Sequence, residues 1–179
     1  SSGRVALHLA LAGLNLRAGD RVILPRYCFY SLVHVVQGLG MTPVFAPVDP
    51  CTFALDPARL KPLLASAQAV VLIHPFGQVA PIAEIGKLCE AAGVPLIEDA
   101  SQATGGGLGE KKVGSMGAVG VSSLVTGKNL QTFGGGIVCS NNPSIATRMA
   151  ELICTASDPG SQHVRQGVCS GLGRWFLTS

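Results

Sequence analysis

Three features of this sequence have the residue types for chemistry: a lysine, a carboxylate and a serine-glycine pair. Lys128 follows the apolar stretch 118–125 and precedes the run Gln131-Thr132-Phe133-Gly134-Gly135-Gly136. Glycines there let backbone come close to something. A lysine packed beside apolar strands and glycines loses hydration, which disfavours the charged ammonium. The neutral amine is a nucleophile able to form a Schiff base. The plainer alternative is a solvated surface lysine between two strands. Asp99 ends the expected strand at 94–98. Ser2-Gly3 precedes an apolar segment with Arg4 in its first turn, where the helix macrodipole disfavours a cation. A bound anion would reverse that penalty, since free N–H groups, the dipole and Arg4 would all attract it. Here the alternative is an ordinary serine cap with Arg4 in solvent.

The elements that must position these residues alternate. A buried helix is expected over 5–16 with Ser2 near its N-cap. A strand at 21–25 leads through the aromatic loop Arg26-Tyr27-Cys28-Phe29-Tyr30 into a helix at 31–39. The strand at 42–47 carries two prolines and reads as an edge. Asp56 caps a helix running to about 65, with Pro57 at its first position. A continuous apolar strand at 69–74 ends on His74, which either lines the site or is a hydrogen-bonded structural histidine. Pro81 opens a helix to 92 that Gly93 closes, and a strand follows at 94–98. The glycine-rich stretch 104–117 is a loop with a hairpin around Gly109-Glu110. Strands at 118–124 and 135–140 flank the Lys128 turn, and a helix runs over 143–155.

Apolar strands alternating with helices indicate an α/β fold with a mostly parallel sheet covered on both faces. Ligands in such sheets bind at the carboxyl ends of the strands. Asp99 and Lys128 both fall there, so both are expected to face one crevice, with the Ser2-Gly3 helix start a candidate for the same opening.

Composition excludes several alternatives. The chain has 179 residues, 47% hydrophobic and 13% charged, about half the usual charged share of roughly 25%. Much of it must be buried, some of it against a partner. The 13 Lys and Arg are scattered and the net charge is only +3, so no nucleic-acid stripe is indicated. No apolar run approaches the ~18 residues of a membrane helix. The six cysteines form no Cys-x-x-Cys pair and the four histidines are dispersed, so metal ligation is not expected. The cysteines read as free thiols of a reducing compartment, the cytoplasm. Gly127-Lys128 is not the end of a phosphate loop, because Ser122 stands where that motif needs glycine and Asn129 where it needs Ser or Thr. No Gly-x-Gly-x-x-Gly follows a strand, and no Gly-x-Ser-x-Gly elbow occurs.

A helix-start anion site, an aromatic cluster, a strand-end carboxylate and a desolvated lysine are together the parts that pyridoxal 5'-phosphate requires. The sequence also resembles a known family. Blocks at 1–11, 19–25, 40–45, 97–102 (Ile97-Glu98-Asp99-Ala100-Ser101-Gln102), 113–117 and 126–130 (Thr126-Gly127-Lys128-Asn129-Leu130) are similar, in order and spacing, to those of the DegT/StrS-type (DegT/DnrJ/EryC1/StrS) sugar aminotransferases. These are fold-type I pyridoxal-phosphate enzymes, and the resemblance covers about residues 1–155.

The resemblance implies a three-layer αβα large domain in which the 135–140 strand is antiparallel. It implies that Lys128 carries the cofactor and then shuttles a proton, and that Asp99 holds the pyridinium nitrogen. Gln102 would bond the ring's phenolic oxygen. Phe29 would stack on the ring, with Tyr27 and Tyr30 as close rivals. Ser2, Gly3 and Ser123 would bind the phosphate, with Arg4 beside them. The implied reaction moves an amino group from an amino acid such as glutamate to a nucleotide-linked keto-sugar, in a cytoplasmic homodimer. Dehydratase relatives have histidine in place of the lysine, so Lys128 favours transamination. Arg4 departs from the family's usual Thr or Ala, and Ser122 and Leu124 stand where aromatics are frequent. The sequence is expected to be a fragment, with 1–156 the large domain lacking its first strand and 157–179 a linker or the start of a truncated C-terminal domain. The 135–140 edge would then be exposed. An inactive or cofactor-binding-only fragment, or another fold-type I enzyme such as a lyase or desulfurase, are the competing readings.

Overall fold

A computed structural model describes residues 2–132 and 134–155; Ser1, Phe133 and the expected linker at 157–179 lie outside the described residues. The first helix, α1 (Gly3–Gly13), buries Ala6, Leu7, Ala10 and Leu11, a spacing that puts them on one stripe. It stops before the expected residue 16 because Asn15 takes a left-handed conformation at φ 58°. Then come β1 (Arg21–Pro25), α2 (Tyr30–Gly38) and β2 (Thr42–Ala46).

Asp56 caps α3 (Pro57–Leu60), its carboxylate accepting from the N–H groups of Ala58 and Arg59. The expected single helix to 65 is instead a short α-turn followed by a 3-10 stretch, Lys61–Ser66. Pro62 lacks the N–H that an α-helix would donate to residue 58. Next are β3 (Ala69–Ile73), α4 (Ile82–Ala92), closed by left-handed Gly93, and β4 (Leu96–Asp99). The glycine-rich loop holds the hairpin β5 (Gly107–Leu108) and β6 (Lys111–Lys112). The chain continues through β7 (Val119–Ser123), β8 (Gly136–Cys139) and α5 (Pro143–Thr155).

The main sheet has the order β2-β1-β3-β4-β7-β8. All pairs are parallel except β7 with β8. The proline-bearing β2 is an edge, as its sequence requires. The central strands β1, β3 and β4 alternate between two cores. Val22, Leu24, Val71, Ile97, Val119 and Val121 face one core with α1, α2 and α5. Ile23, Val70, Leu72 and Leu96 face the other with α3, the 3-10 stretch and α4. The result is the expected αβα sandwich. Period two then fixes the polar strand-end residues: Asp99 and Ser123 fall on the α1 side, Glu98 and Ser122 on the α4 side. No helix among the described residues is long and apolar enough to cross a membrane.

Candidate active site

A cavity of about 550 Å³ opens at the carboxyl ends of the strands, within the usual range of roughly 300–1,000 Å³ for small-molecule sites. Both Asp99 and Lys128 line it, together with Ser2, Gly3 and Arg4 from the start of α1. Gln102 and Ser123 complete its polar wall, while Tyr27, Phe29 and Tyr30 form an aromatic one. The cavity therefore brings every site residue named from the sequence to one opening. It does not choose among the three aromatics: all are exposed, Phe29 by 62% and Tyr30 by 65%. Phe29 and Tyr30 pack against each other with ring centroids 4.7 Å apart and planes tilted by 46°.

The start of α1 is bare. Ser2 has the extended backbone of an N-cap, and its carbonyl accepts from Ala6 N–H, but its side chain makes no capping bond. The first-turn N–H groups thus keep their donor capacity toward the cavity. Gly3 packs so tightly on β7 that a Cβ there would lie 2.7 Å from Ser123 Cβ. At the other end of the glycine run, a Cβ on Gly136 would lie 2.6 Å from the Ser2 carbonyl oxygen. These contacts pin the helix start against the antiparallel edge.

Asp99 is half-buried, and its Oδ1 accepts from Ser101 N–H at 2.9 Å. Ser101 Oγ in turn accepts from Ser123 N–H at 2.9 Å, which ties the ends of β4 and β7 together. Lys128 closes a tight turn in which its N–H donates to Val125 carbonyl and Gly127 takes φ 90°, as a type II turn demands. Gln131 Oε1 accepts from Gly127 N–H at 2.9 Å and braces the turn. Lys128 is half-buried at the rim, so the enclosure among apolar strands expected from the sequence is not what holds it. The turn ends past β7, where residues 126 and 127 are exposed.

His74 is the structural histidine of its two readings. It is fully buried, with Nε2 3.0 Å from Glu98 Oε1 and Nδ1 accepting from Ala80 N–H at 3.0 Å. Glu98 is the residue sequence reasoning missed. Inside the block at 97–102 it reads as strand interior, yet it is a buried carboxylate. The available signal was the charge itself, since a carboxylate in a strand covered on both faces needs donors. Phe76, whose N–H donates to Gln102 Oε1 at 2.8 Å, lies in the 3-10 turn Pro75–Gly77 and carries no sequence signal for a site.

Residues 1–172 match the DegT/DnrJ/EryC1/StrS aminotransferase family. The chain is 37% identical over 153 residues to the L-glutamine:2-deoxy-scyllo-inosose aminotransferase of Streptomyces kanamyceticus, covering 85% of this chain and 36% of that protein. It is 32% identical over 176 residues to the GDP-perosamine synthase of Vibrio cholerae, covering 98% of this chain and 45% of that one. Among solved structures, the E. coli GDP-4-keto-6-deoxy-D-mannose-3-dehydratase with bound hydrated PLP superposes with a TM-score of 0.78 at 25% identity, over 86% of this chain and 41% of that chain. The chain thus spans less than half the length of the curated relatives it matches.

Proposed function

Because the chain belongs to the DegT/DnrJ/EryC1/StrS aminotransferase family, we propose that its strand-end cavity binds pyridoxal 5'-phosphate and serves amino transfer from an amino acid to a keto-sugar. The observation that carries this is the convergence of Lys128, Asp99 and the bare start of α1 on one cavity. The residues fit the cofactor. A phosphate needs unpaired N–H donors at close range, and the uncapped first turn with Gly3 against Ser123 supplies them. Asp99 keeps one carboxylate oxygen clear of the Ser101 bond for a ring nitrogen. The aromatics from 27 to 30 offer flat apolar faces.

When bound, pyridoxal phosphate supplies an electron sink that makes the substrate's α-proton removable. Ser2, Gly3, Ser123 and Arg4 would bind the phosphate. Asp99 keeps the ring nitrogen protonated through a charge-assisted hydrogen bond, worth about 1.5–3 kcal/mol. Phe29 would offer its face to the ring, with Tyr27 and Tyr30 as close rivals. Lys128 would hold the cofactor through its primary amine and would be the group that takes up a proton as base and returns it as acid. Its presence favours amino transfer over the dehydration named for the E. coli neighbour. Glutamate or glutamine is the donor class. The acceptor is a nucleotide-linked keto-sugar, a reading supported by the name of the Vibrio relative. The Streptomyces relative is named for an inosose without a nucleotide, so the shared chemistry is the ring ketone. The intact protein acts as a cytoplasmic homodimer. The exposed Phe53 and Phe76 give a second copy apolar surface to cover.

The test is to add pyridoxal phosphate, record the visible band, trap it with borohydride and map the labelled residue by mass spectrometry. The proposal expects label on Lys128 and amino transfer to a keto-sugar acceptor. A trapped band without transfer would leave cofactor binding only. No band with added cofactor would end the enzyme reading of this chain.

A further inference from the structure

Behind the cavity, on the α4 side of β4, the bond directions around His74 fix its proton. Ala80 N–H is an obligate donor and reaches Nδ1, so Nδ1 is bare and the neutral ring carries hydrogen on Nε2. Nε2–H donates to Glu98 Oε1. The other oxygen, Oε2, accepts from the N–H groups of Met116 at 2.9 Å and Gly117 at 3.0 Å. Both oxygens accept, so this is a carboxylate. Burial alone would raise the Glu98 carboxyl, but the His74 and backbone donors outweigh it and hold it below the usual range. No buried side-chain nitrogen or oxygen among the described residues lacks a partner, so only this arrangement of protons satisfies the pair.

The His74 ring also bridges the turn between residues 74 and 80 from inside. Within that turn Phe76 takes φ 54°, a left-handed conformation disfavoured for a bulky side chain, and its N–H points at Gln102 Oε1. A backbone N–H cannot accept a hydrogen bond, so it selects the carbonyl end of the Gln102 amide. The amino end is left for the cavity. With the amide reversed, two donors would meet at Phe76 and the cavity would be offered a carbonyl oxygen instead.

We propose that Glu98 and His74 are positioning residues: they hold the 74–80 turn so that Phe76 N–H presents the Gln102 amino group as donor to the phenolic oxygen of pyridoxal phosphate. This rests on reading the cavity as the cofactor site. Neither residue touches the cofactor.

Two measurements decide it. In the 15N-labelled protein without cofactor at neutral pH, His74 is expected to show a bare Nδ1 and a protonated Nε2. The Phe76 amide is expected to exchange at least about tenfold faster in Glu98→Gln or His74→Asn than in wild type. A His74 ring protonated on Nδ1, or unchanged Phe76 exchange, overturns the proposal. The second measurement compares the affinity for pyridoxal phosphate with that for its analogue lacking the 3-hydroxyl. Wild type should prefer the natural compound by about tenfold, one hydrogen bond's worth. Either variant that circular dichroism shows to be folded should lose that preference while binding the analogue unchanged. Equal loss on both compounds means a merely structural role and overturns the proposal. If wild type binds neither compound, the cofactor reading fails by itself, and the tautomer and amide exchange still decide whether the pair orients Gln102.

Discussion

Gly3 and Ser123 meet at a distance that excludes a side chain: a methyl on Gly3 would lie 2.7 Å from Ser123 Cβ. The contact joins the first turn of α1 to the last residue of β7, and these two segments form the proposed phosphate cradle. Gly3→Ala gains up to about 1 kcal/mol of helix propensity. It must also displace either the helix start or the end of β7, and overpacking of this kind costs about 1–3 kcal/mol. The clash wins, because Ser123 Cβ is attached to a sheet strand and cannot swing away. The expected outcome is a modest loss in denaturant midpoint and at least a tenfold weaker affinity for pyridoxal phosphate, read by equilibrium dialysis.

Lys128→Arg keeps a cation at the cavity rim and removes the primary amine. The side chain is half-buried in a turn held by backbone bonds, so stability should change by no more than about 0.5 kcal/mol. Borohydride treatment after adding pyridoxal phosphate should leave no label on the 126–130 segment, where wild type is labelled. Label elsewhere in the variant at the wild-type level would show that Lys128 is not the attachment point.

The sheet was readable from sequence because its strands are apolar runs separated by signals with a mechanism: Asp56-Pro57 for a helix start, Gly93 for a helix stop, prolines for the β2 edge. Asp99 and Lys128 were readable as a pair because strand ends in parallel sheets share one side. Period two in β4 puts Asp99 on the α1 face and Glu98 on the other, but from sequence alone neither face could be matched to a helix layer. The sequence misleads about the setting of Lys128 for a related reason. Its apolar neighbours belong to β7, whereas the turn carries the lysine beyond the strand to a half-exposed rim. Phe76 left no trace, since nothing in a sequence marks a phenylalanine for positive φ.

Asp99→Asn tests the charge at the ring nitrogen. The Asn side-chain oxygen can still accept from Ser101 N–H, so the local turn at 99–101 should persist and the fold with it. The ionised partner of the ring nitrogen is lost, a term of about 1.5–3 kcal/mol and thus roughly 10- to 150-fold. Amino transfer should fall by about that factor in single-turnover kinetics, with borohydride labelling of Lys128 retained. Undiminished transfer would remove Asp99 from its proposed role.

Two buried groups are expected to contribute to opposite limbs of the stability profile. The Glu98 carboxyl lies below its usual range: burial raises it, and the bonds from His74, Met116 and Gly117 more than offset that. The native state therefore binds that proton more weakly than the unfolded chain, whose glutamates titrate near about 4.3. Its stabilising contribution is complete above that value and disappears as pH falls through the lower native one. The Cys89 thiol behaves in the opposite sense. Burial beside Ile85 in the α4 core pushes it up to about 11. Its contribution is complete below the unfolded thiol value of about 8.5 and disappears as pH rises toward 11. Denaturant titrations across pH should show Glu98→Gln less stable at neutral pH by about 1–3 kcal/mol, with a flatter acid limb. Cys89→Ala should flatten the alkaline limb and leave the acid one intact. An acid limb of unchanged slope in Glu98→Gln would mean that other carboxylates govern acid unfolding.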